Sequence, residues 1–255
     1  MNHLLNISRS GINSLQQKLD VTAQNIANVN TAGYKSQSLQ FRELLHNPIT
    51  SEQAPVNEAV TTASISRGVQ GLAKQDLLQQ GTFSETGNQW DLAIEGSAFF
   101  GVRDDNNQLL LTRAGAFSQD ETGRIVNAQG QAVDMNLIVP TDQWPKGTVN
   151  VSSTGTIGIV HDNQQTIVGQ MQLYQPNDLK DLSATGNNTF QLAPGAQVLV
   201  SNQGNTIRQG SIEQSTVDLA QSMTELLVTQ RAYSLNNRVL QSTDDMLSTI
   251  NRFTD

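Results

Sequence analysis

The sequence predicts a mixed α and β protein: long N- and C-terminal helices forming a coiled-coil-like stalk, with an inserted, mainly antiparallel β-domain. Three observations carry this expectation. Apolar residues recur every seven positions at both ends of the 255-residue chain. Between the ends the apolar period falls to two, as in half-buried strands. That middle region is punctuated by Asp-, Asn- and Gly-rich segments, which favour turns because their backbones tolerate left-handed or Asx geometry.

The first element is a helix over about residues 3–28. Leu5, Ile12, Leu19 and Ile26 repeat at intervals of seven, and Leu15 and Val29 hold the companion position, which makes a heptad-like stripe. Gly11 weakens the helix locally. Asn30-Thr31-Ala32-Gly33 ends it, with Gly33 suited to a left-handed cap. Residues 36–84 read as an extended connector. Leu39, Phe41, Leu44 and Leu45 are spaced for a short helix, and Pro48 to Arg67 holds no sustained period.

From 85 to 210 the chain reads as a β-rich domain. Expected strands are Asp91–Ile94, Phe99–Arg103, Leu109–Thr112, Ile125–Asn127, Val149–Ser152, Ile157–His161, Thr166–Leu173 and Gln197–Ser201. Asp104-Asp105-Asn106-Asn107, Asp120-Glu121-Thr122-Gly123 and Asp162-Asn163-Gln164 supply turns between them. The last element, within 211–255, is a helix with Leu219, Leu226, Tyr233, Leu240 and Leu247 in one seven-residue register. Ala232, Val239, Met246 and Phe253 occupy the adjacent one. Ser215 or Thr216, with Asp218 nearby, offers a start. About 38 residues would make a helix about 57 Å long. The domain expectation is therefore 1–35 with 211–255 as a helical stalk, 36–84 as connector, and 85–210 as β-domain. Two apolar stripes bury most simply against each other.

The C-terminal helix carries more apolar surface than one partner helix covers. Leu226, Leu227 and Val228 are consecutive, and successive residues point about 100° apart. Met223, Leu235 and Ile250 widen that surface. The remaining faces are Asn, Gln, Ser and Thr, which cost less to desolvate than ions. Only 15% of the chain is charged, against about 25% in ordinary domains. Both features suit helices surrounded by other protein.

Composition also excludes several chemistries. No cysteine is present, so disulfides and thiolate metal sites are ruled out. A net charge of -8 disfavours nucleic acid and anionic membrane surfaces, both of which recruit basic patches. No apolar run approaches the about 20 residues that cross a bilayer. Met1 to Gly11 lacks the basic-then-apolar pattern of a cleaved signal peptide, so export is expected only by a route without one. His3, His46 and His161 are far apart and lack ligand spacing. There is no phosphate-binding, dinucleotide-binding or G-x-S-x-G pattern. Asp104-Asp105 and Asp120-Glu121 are carboxylate pairs of the kind glycosidases use, but they lie in turns, where Asp is favoured for backbone reasons. Asp244-Asp245, on the last helix, reads as a subunit contact or a solvated edge. No catalytic, cofactor or metal residue is expected, and the chain reads as a non-enzyme.

Four blocks add a resemblance. Asn25-Ile26-Ala27-Asn28-Val29-Asn30-Thr31-Ala32-Gly33-Tyr34-Lys35 resembles the N-terminal signature of the flagellar axial proteins of rod and hook. Gln80-Gly81-Thr82-Phe83-Ser84 with Asp91-Leu92-Ala93-Ile94-Glu95-Gly96 and Phe99-Phe100 resembles the opening of that family's β-domain, continued by Thr112-Arg113-Ala114-Gly115-Ala116-Phe117. Gln230-Arg231-Ala232-Tyr233, then Asn236, Thr243 and Asp244-Asp245-Met246-Leu247, resembles its C-terminal helix. A chain of this length with one β insertion is similar to the FlgF/FlgG type. Gly210-Ser211-Ile212-Glu213-Gln214-Ser215 through Asp218 leans towards the FlgG pattern. Thr216-Val217 stands where Asn-Val is usual, and Ser234 where an acidic residue is common, which leaves proximal versus distal rod open.

The resemblance implies a structural subunit of the bacterial flagellar basal body, exported without a cleaved signal and self-assembling through its terminal helices into a helical tubular drive shaft. Its partners would be copies of itself, other rod proteins, the hook and surrounding ring proteins. Assembly would rest on Leu5, Ile12, Leu15, Leu19, Ile26, Leu219, Leu226, Tyr233, Leu240 and Leu247. The signature turn, Asn28, Thr31, Gly33, Tyr34 and Lys35, would set the angle between stalk and head. In that turn Gly33 suits a positive φ, and Asn28, Asn30 and Thr31 suit open backbone groups at a helix end. The alternative reading is a soluble or surface β-domain binding module, for a glycan or peptide, with the helices as a simple hairpin.

Overall fold

The computed structural model describes residues 2–43, 47–48, 64–65, 68–75, 79–162, 164–200 and 204–254. They form two compact units: residues 1–27, 36–76 and 217–255 make a helical unit, and residues 28–35 with 77–216 make a β unit. Mixed α and β architecture, with a helix at each end and an antiparallel β-domain between them, is thus what the chain adopts.

The helical unit is built on α1, Asn2–Ala27, and α2, Leu219–Thr254. Helix α2 starts later than Ser215 or Thr216 would place it. Thr216 lies before the helix, where its N–H donates to the Tyr34 carbonyl at 3.1 Å. Asp218 is the cap instead: its carboxylate accepts from the Gln221 N–H at 3.0 Å, satisfying one of the open donors of the first turn. Helix α2 spans about 54 Å and α1 about 39 Å. Gly11 of α1 lies against Asn236 of α2, where an added Cβ would sit 2.8 Å from the amide nitrogen.

The deepest row between the helices is polar. Ser222, Thr229, Asn236 and Thr243 recur every seven residues on α2; the first two are buried and the others half-buried. On α1 the buried residues are Ser14, Thr22 and Asn25. Ser222 and Thr22 donate back to carbonyls four residues earlier, of Asp218 at 2.7 Å and Lys18 at 2.8 Å. Hydroxyls satisfied by their own helix act as small spacers and need no partner across the seam.

Residues 37–43 correct one expectation. The short helix anticipated through Leu39 and Phe41 is a strand, Gln37–Glu43, paired antiparallel with Val69–Gln75. Leu44 and Leu45 lie outside the described residues. Leu39 and Phe41 are two apart, which is strand periodicity, and pairing with a segment some thirty residues later stabilises it. The hairpin packs on α1. Asn25 clamps it by giving its amide to the Gln37 carbonyl at 2.7 Å and accepting the Gln37 N–H at 2.9 Å. Ser14 donates to the Val69 carbonyl at 3.1 Å.

The β unit holds the apolar core. One sheet runs Leu182–Gly186, Thr189–Leu192, Leu109–Thr112, Phe99–Arg103, Ala132–Val133, Ile125–Val126, Ser118–Gln119, with Leu173–Pro176 pairing both Phe99–Phe100 and Val198–Val200. A second runs Met135–Leu137, Gln164–Met171, Thr156–His161, Thr148–Val151. Every pairing named is antiparallel. Strand Phe99–Arg103 feeds two clusters because successive side chains point to opposite faces. Phe100 and Val102 join Trp90, Leu92, Ile94, Phe117 and Ile157, while Phe99 joins Leu111, Tyr174 and Phe190. Gly101 lies between them, and a Cβ there would stand 2.3 Å from the Tyr174 ring.

The anticipated turns use their Asp residues as expected. Asp104 accepts the N–H groups of Asn106 and Gln108 at 3.0 and 2.7 Å. Asp120 accepts those of Thr122 and Arg124 at 2.9 and 2.8 Å. Asn107 and Asp162 take positive φ.

Candidate functional site

Within the β unit, residues 28–35 form a tight double turn. The Thr31 N–H donates to the Asn28 carbonyl at 3.1 Å, and the Tyr34 N–H to the Thr31 carbonyl at 3.2 Å. The Thr31 hydroxyl also reaches Asn28 Oδ1 at 3.1 Å. Gly33 adopts φ +67°, and a Cβ would stand 2.4 Å from the Arg113 carbonyl carbon. Backbone cannot yield as a flexible side chain can, so this position requires glycine for conformation and for space. The Gly33 N–H donates to the Glu213 carbonyl at 2.7 Å. With the Thr216–Tyr34 bond, this clasps the turn to the segment that leads into α2. Asn188 adds a bond from its amide to the Ala32 carbonyl at 3.0 Å.

Beneath the turn lies a buried charge node. Lys35 Nζ sits 2.6 Å from Glu213 Oε1 and donates to the Gln79 carbonyl at 2.5 Å. Glu213 Oε1 also accepts the Gly81 N–H at 2.8 Å. Arg113 approaches Glu213 Oε2 at 3.5 Å, donates to the Gly96 carbonyl at 2.6 Å, and stacks 4.9 Å over the Phe99 ring. Lys35, Glu213 and Arg113 are 0%, 1% and 3% exposed. Charges this deep persist only when paired and hydrogen-bonded. Burial pulls the Arg113 guanidinium below its ordinary pKa, and the Glu213 carboxylate offsets part of that. Burial pushes the Tyr34 phenol up.

The node gathers the separated sequence blocks. Lys35 closes the N-terminal signature, Gly81 and Gly96 come from the β-domain opening, Arg113 from its continuation, and Glu213 from the approach to α2. Of the five signature residues, Asn28, Thr31, Gly33, Tyr34 and Lys35 all enter this turn or the node. Sequence reasoning missed Arg113 and Glu213, and also Asn25. A signal existed: in a chain so poor in charge, those blocks each hold an ionisable residue amid apolar or small neighbours.

The helical seam residues form no single buried cluster. Ile12, Leu15, Leu19 and Ile26 on α1 are half-buried, as are Leu226, Tyr233 and Leu240 on α2. Leu219 is 40% exposed. The side chains of Leu5 and Leu247 lie outside those described. In the adjacent α2 register Ala232 is half-buried, while Val239, Met246 and Phe253, like Val228 and Leu235 beside them, are between 54% and 85% exposed.

The carboxylate pairs are engaged structurally. Thr122 and Arg124 hold the Asp120 carboxyl below the usual range, and Asp104 closes its turn. His161 Nδ1 lies 2.8 Å from the Lys146 carbonyl. No described helix is long and apolar enough to cross a membrane.

Comparison with known proteins agrees with this anatomy. The family described as flagella basal body rod protein matches residues 5–35, the FlgE/F/G D1 domain of flagellar hook proteins matches 93–159, and the C-terminal family of flagellar basal body rod FlgEFG proteins matches 208–253. The flagellar basal-body rod protein FlgG of Agrobacterium fabrum is 32% identical, over 97% of this chain and 98% of that protein. FlgG of Caulobacter vibrioides is 31% identical, over 95% of this chain and 96% of that one. The flagellar hook-basal body complex protein FlhP of Bacillus subtilis is 30% identical, over 94% and 95%. With full-length likeness of this kind, and a family match at each end and in the β-domain, the chain belongs to the flagellar basal-body rod proteins of the FlgG type.

Proposed function

We propose that the chain is a structural, non-catalytic subunit of the bacterial flagellar basal-body rod that polymerises through its terminal helices into a helical tubular drive shaft. One observation carries the reading: among the described residues, every buried hydrophobic belongs to the β unit, while α2 leaves nine large apolar side chains exposed. Apolar area left in water at this density marks an interaction surface. The helical pair acts as a coiled-coil-like stalk whose seams are completed by copies of the chain, with Leu5, Ile12, Leu15, Leu19, Ile26, Leu219, Leu226, Tyr233, Leu240 and Leu247 on the intramolecular side. Other rod proteins, the hook and surrounding ring proteins are the further partners.

In this reading 1–35 with 211–255 is the assembling part, 36–84 a connector and 85–210 the head. Residues 28–35 and 211–216 serve both, being continuous with the helices and packed in the β unit. The names of the relatives, rod proteins of flagellar basal bodies, support the location.

The test is replacement of the chromosomal copy by Leu235→Asp or Val239→Asp. Both sites are more than half exposed, so the isolated protein should keep its fold and helix content by circular dichroism. Basal bodies should nevertheless lack the protein, and cells should not swim. Normal swimming from both variants would remove the assembly reading.

A further inference from the structure

Both tryptophans of the chain line one cleft of the β unit. Trp90 is buried in the main core, and Trp144, half-buried, stacks beside it with ring centroids 6.5 Å apart and planes 20° apart. The cleft holds about 430 Å³, inside the range of about 300–1,000 Å³ typical of small-molecule sites. One lip is the turn after Gln119. Asp120 closes it, accepting the N–H groups of Thr122 and Arg124 and the Arg124 guanidinium at 3.0 Å, and so holds Glu121 in place. The other lip runs from Thr141 to Gly147. There the Trp144 Nε1–H donates to the Val139 carbonyl at 3.0 Å, and His161 Nδ1 lies 2.8 Å from the Lys146 carbonyl. The lips meet at Gly123, φ +81°, where a Cβ would stand 3.0 Å from the Thr141 carbonyl oxygen. Gln89 is tied to the wall by the Val149 N–H, which donates to its Oε1 at 3.0 Å. Backbone bonds on both sides thus preform the cleft.

We propose that this cleft binds a short, neutral saccharide, with a sugar ring lying on Trp144 and its hydroxyls reaching Glu121, Lys146 and the Gln89 amide. A pyranose ring carries C–H groups on its faces and hydroxyls round its edge, which complements a flat indole set inside a polar rim. The rim also argues against ions. Asp120 is paired with Arg124, while Glu121 and Lys146 are exposed and enter no ion pair among the described residues. One unpaired carboxylate and one unpaired ammonium leave the rim neutral overall. A phosphate would meet a single lysine where anion sites gather several donors or a helix N-terminus. A quaternary ammonium needs aromatic faces turned towards it from several sides, but the two indoles here lie nearly parallel, one against the other. The cleft lies wholly within the β unit, so binding there is independent of assembly through the helices.

Intrinsic fluorescence of the full-length chain reads the site directly, because both tryptophans line it. Titration with cellotriose and with chitotriose should shift the tryptophan emission saturably for at least one of the two sugars. By calorimetry with that sugar, Trp144→Ala should weaken binding by about tenfold or more, as loss of an aromatic anchor does. Glu121→Ala and Lys146→Ala are exposed changes that leave the fold intact. Each should weaken binding severalfold with an unchanged unfolding midpoint, so they decide the matter even if Trp144→Ala fails to fold. No saturable response to either sugar, or unchanged affinity in both Glu121→Ala and Lys146→Ala, would overturn the site. Tighter binding of choline or of inorganic phosphate than of either sugar would overturn the ligand class.

Discussion

The two units are stabilised by opposite means. The β unit buries phenylalanines, leucines and isoleucines almost completely, and it encloses three ionised side chains at the base of the signature turn. Besides Gly68, the helical unit buries only polar side chains among its described residues, Ser14, Thr22, Asn25, Ser222 and Thr229, and leaves its larger apolar groups half or wholly exposed. Buried apolar area stabilises folding by about 25 cal/mol per Å², so the β unit holds most of what makes the isolated chain fold. The apolar side chains of the helices, half or wholly exposed, contribute much less of that burial.

The largest expected effect breaks this contrast at matched chemistry. Phe100→Ala should cost about 3–5 kcal/mol by thermal or denaturant unfolding, the usual cost of truncating a buried aromatic. Leu235→Ala, 61% exposed, should change the stability of the isolated chain by less than about 0.5 kcal/mol, as surface substitutions do. Comparable losses at both sites would mean that the helical unit is complete by itself.

Next comes the node. Glu213→Gln leaves Lys35 and Arg113 buried without their counter-charge, which should cost about 3–5 kcal/mol. Lys35→Met and Glu213→Gln combined should cost less than the sum of the single changes, because they share one interaction. Additive losses in a double-mutant cycle would show that the node is not a unit. Leu226→Asp and Leu240→Asp come third. Both positions are half-buried, so the charge should loosen the α1–α2 seam and stop assembly while the β unit unfolds at its usual temperature. Limited proteolysis of either variant should release segments before about 28 and after about 216 and spare the β unit.

The smallest effect concerns pH. Burial raises the folded-state pKa of Tyr34 above its ordinary value of 10.0, and Tyr174 shifts the same way through burial and its hydrogen bond to Asp134. A raised folded pKa means that the neutral phenol favours the folded state. That contribution is complete below pH 10.0 and is lost as pH rises through the folded value. The β unit should therefore destabilise above that pH, less steeply in Tyr34→Phe, as followed by the unfolding midpoint.

Local signals made much of the fold legible. Seven-residue periodicity located both helices to within a few residues, and alternation located strands such as Phe99–Arg103 and Leu109–Thr112. Asp104 and Asp120 were readable because an Asx turn closes over two to four residues. The strands left unread are short or polar, such as Ala132–Val133, Thr189–Leu192 and Ser211–Glu213. Each becomes a strand because a distant partner supplies its hydrogen bonds. The same holds for Gln37–Glu43, whose apolar spacing alone was compatible with a helix.

The sequence by itself determined the two heptad helices, the β insertion, the turn at Gly33 and the family. Those properties are local, fixed by side-chain period and backbone preference over a turn or a few residues. Tertiary structure decided that the deepest helical row is Ser and Thr rather than Leu, and that Lys35, Arg113 and Glu213 meet. Lys35 and Glu213 are 178 residues apart in the chain. Whether a charge is buried beside its counter-ion depends on which distant backbone folds over it, and no local pattern encodes that.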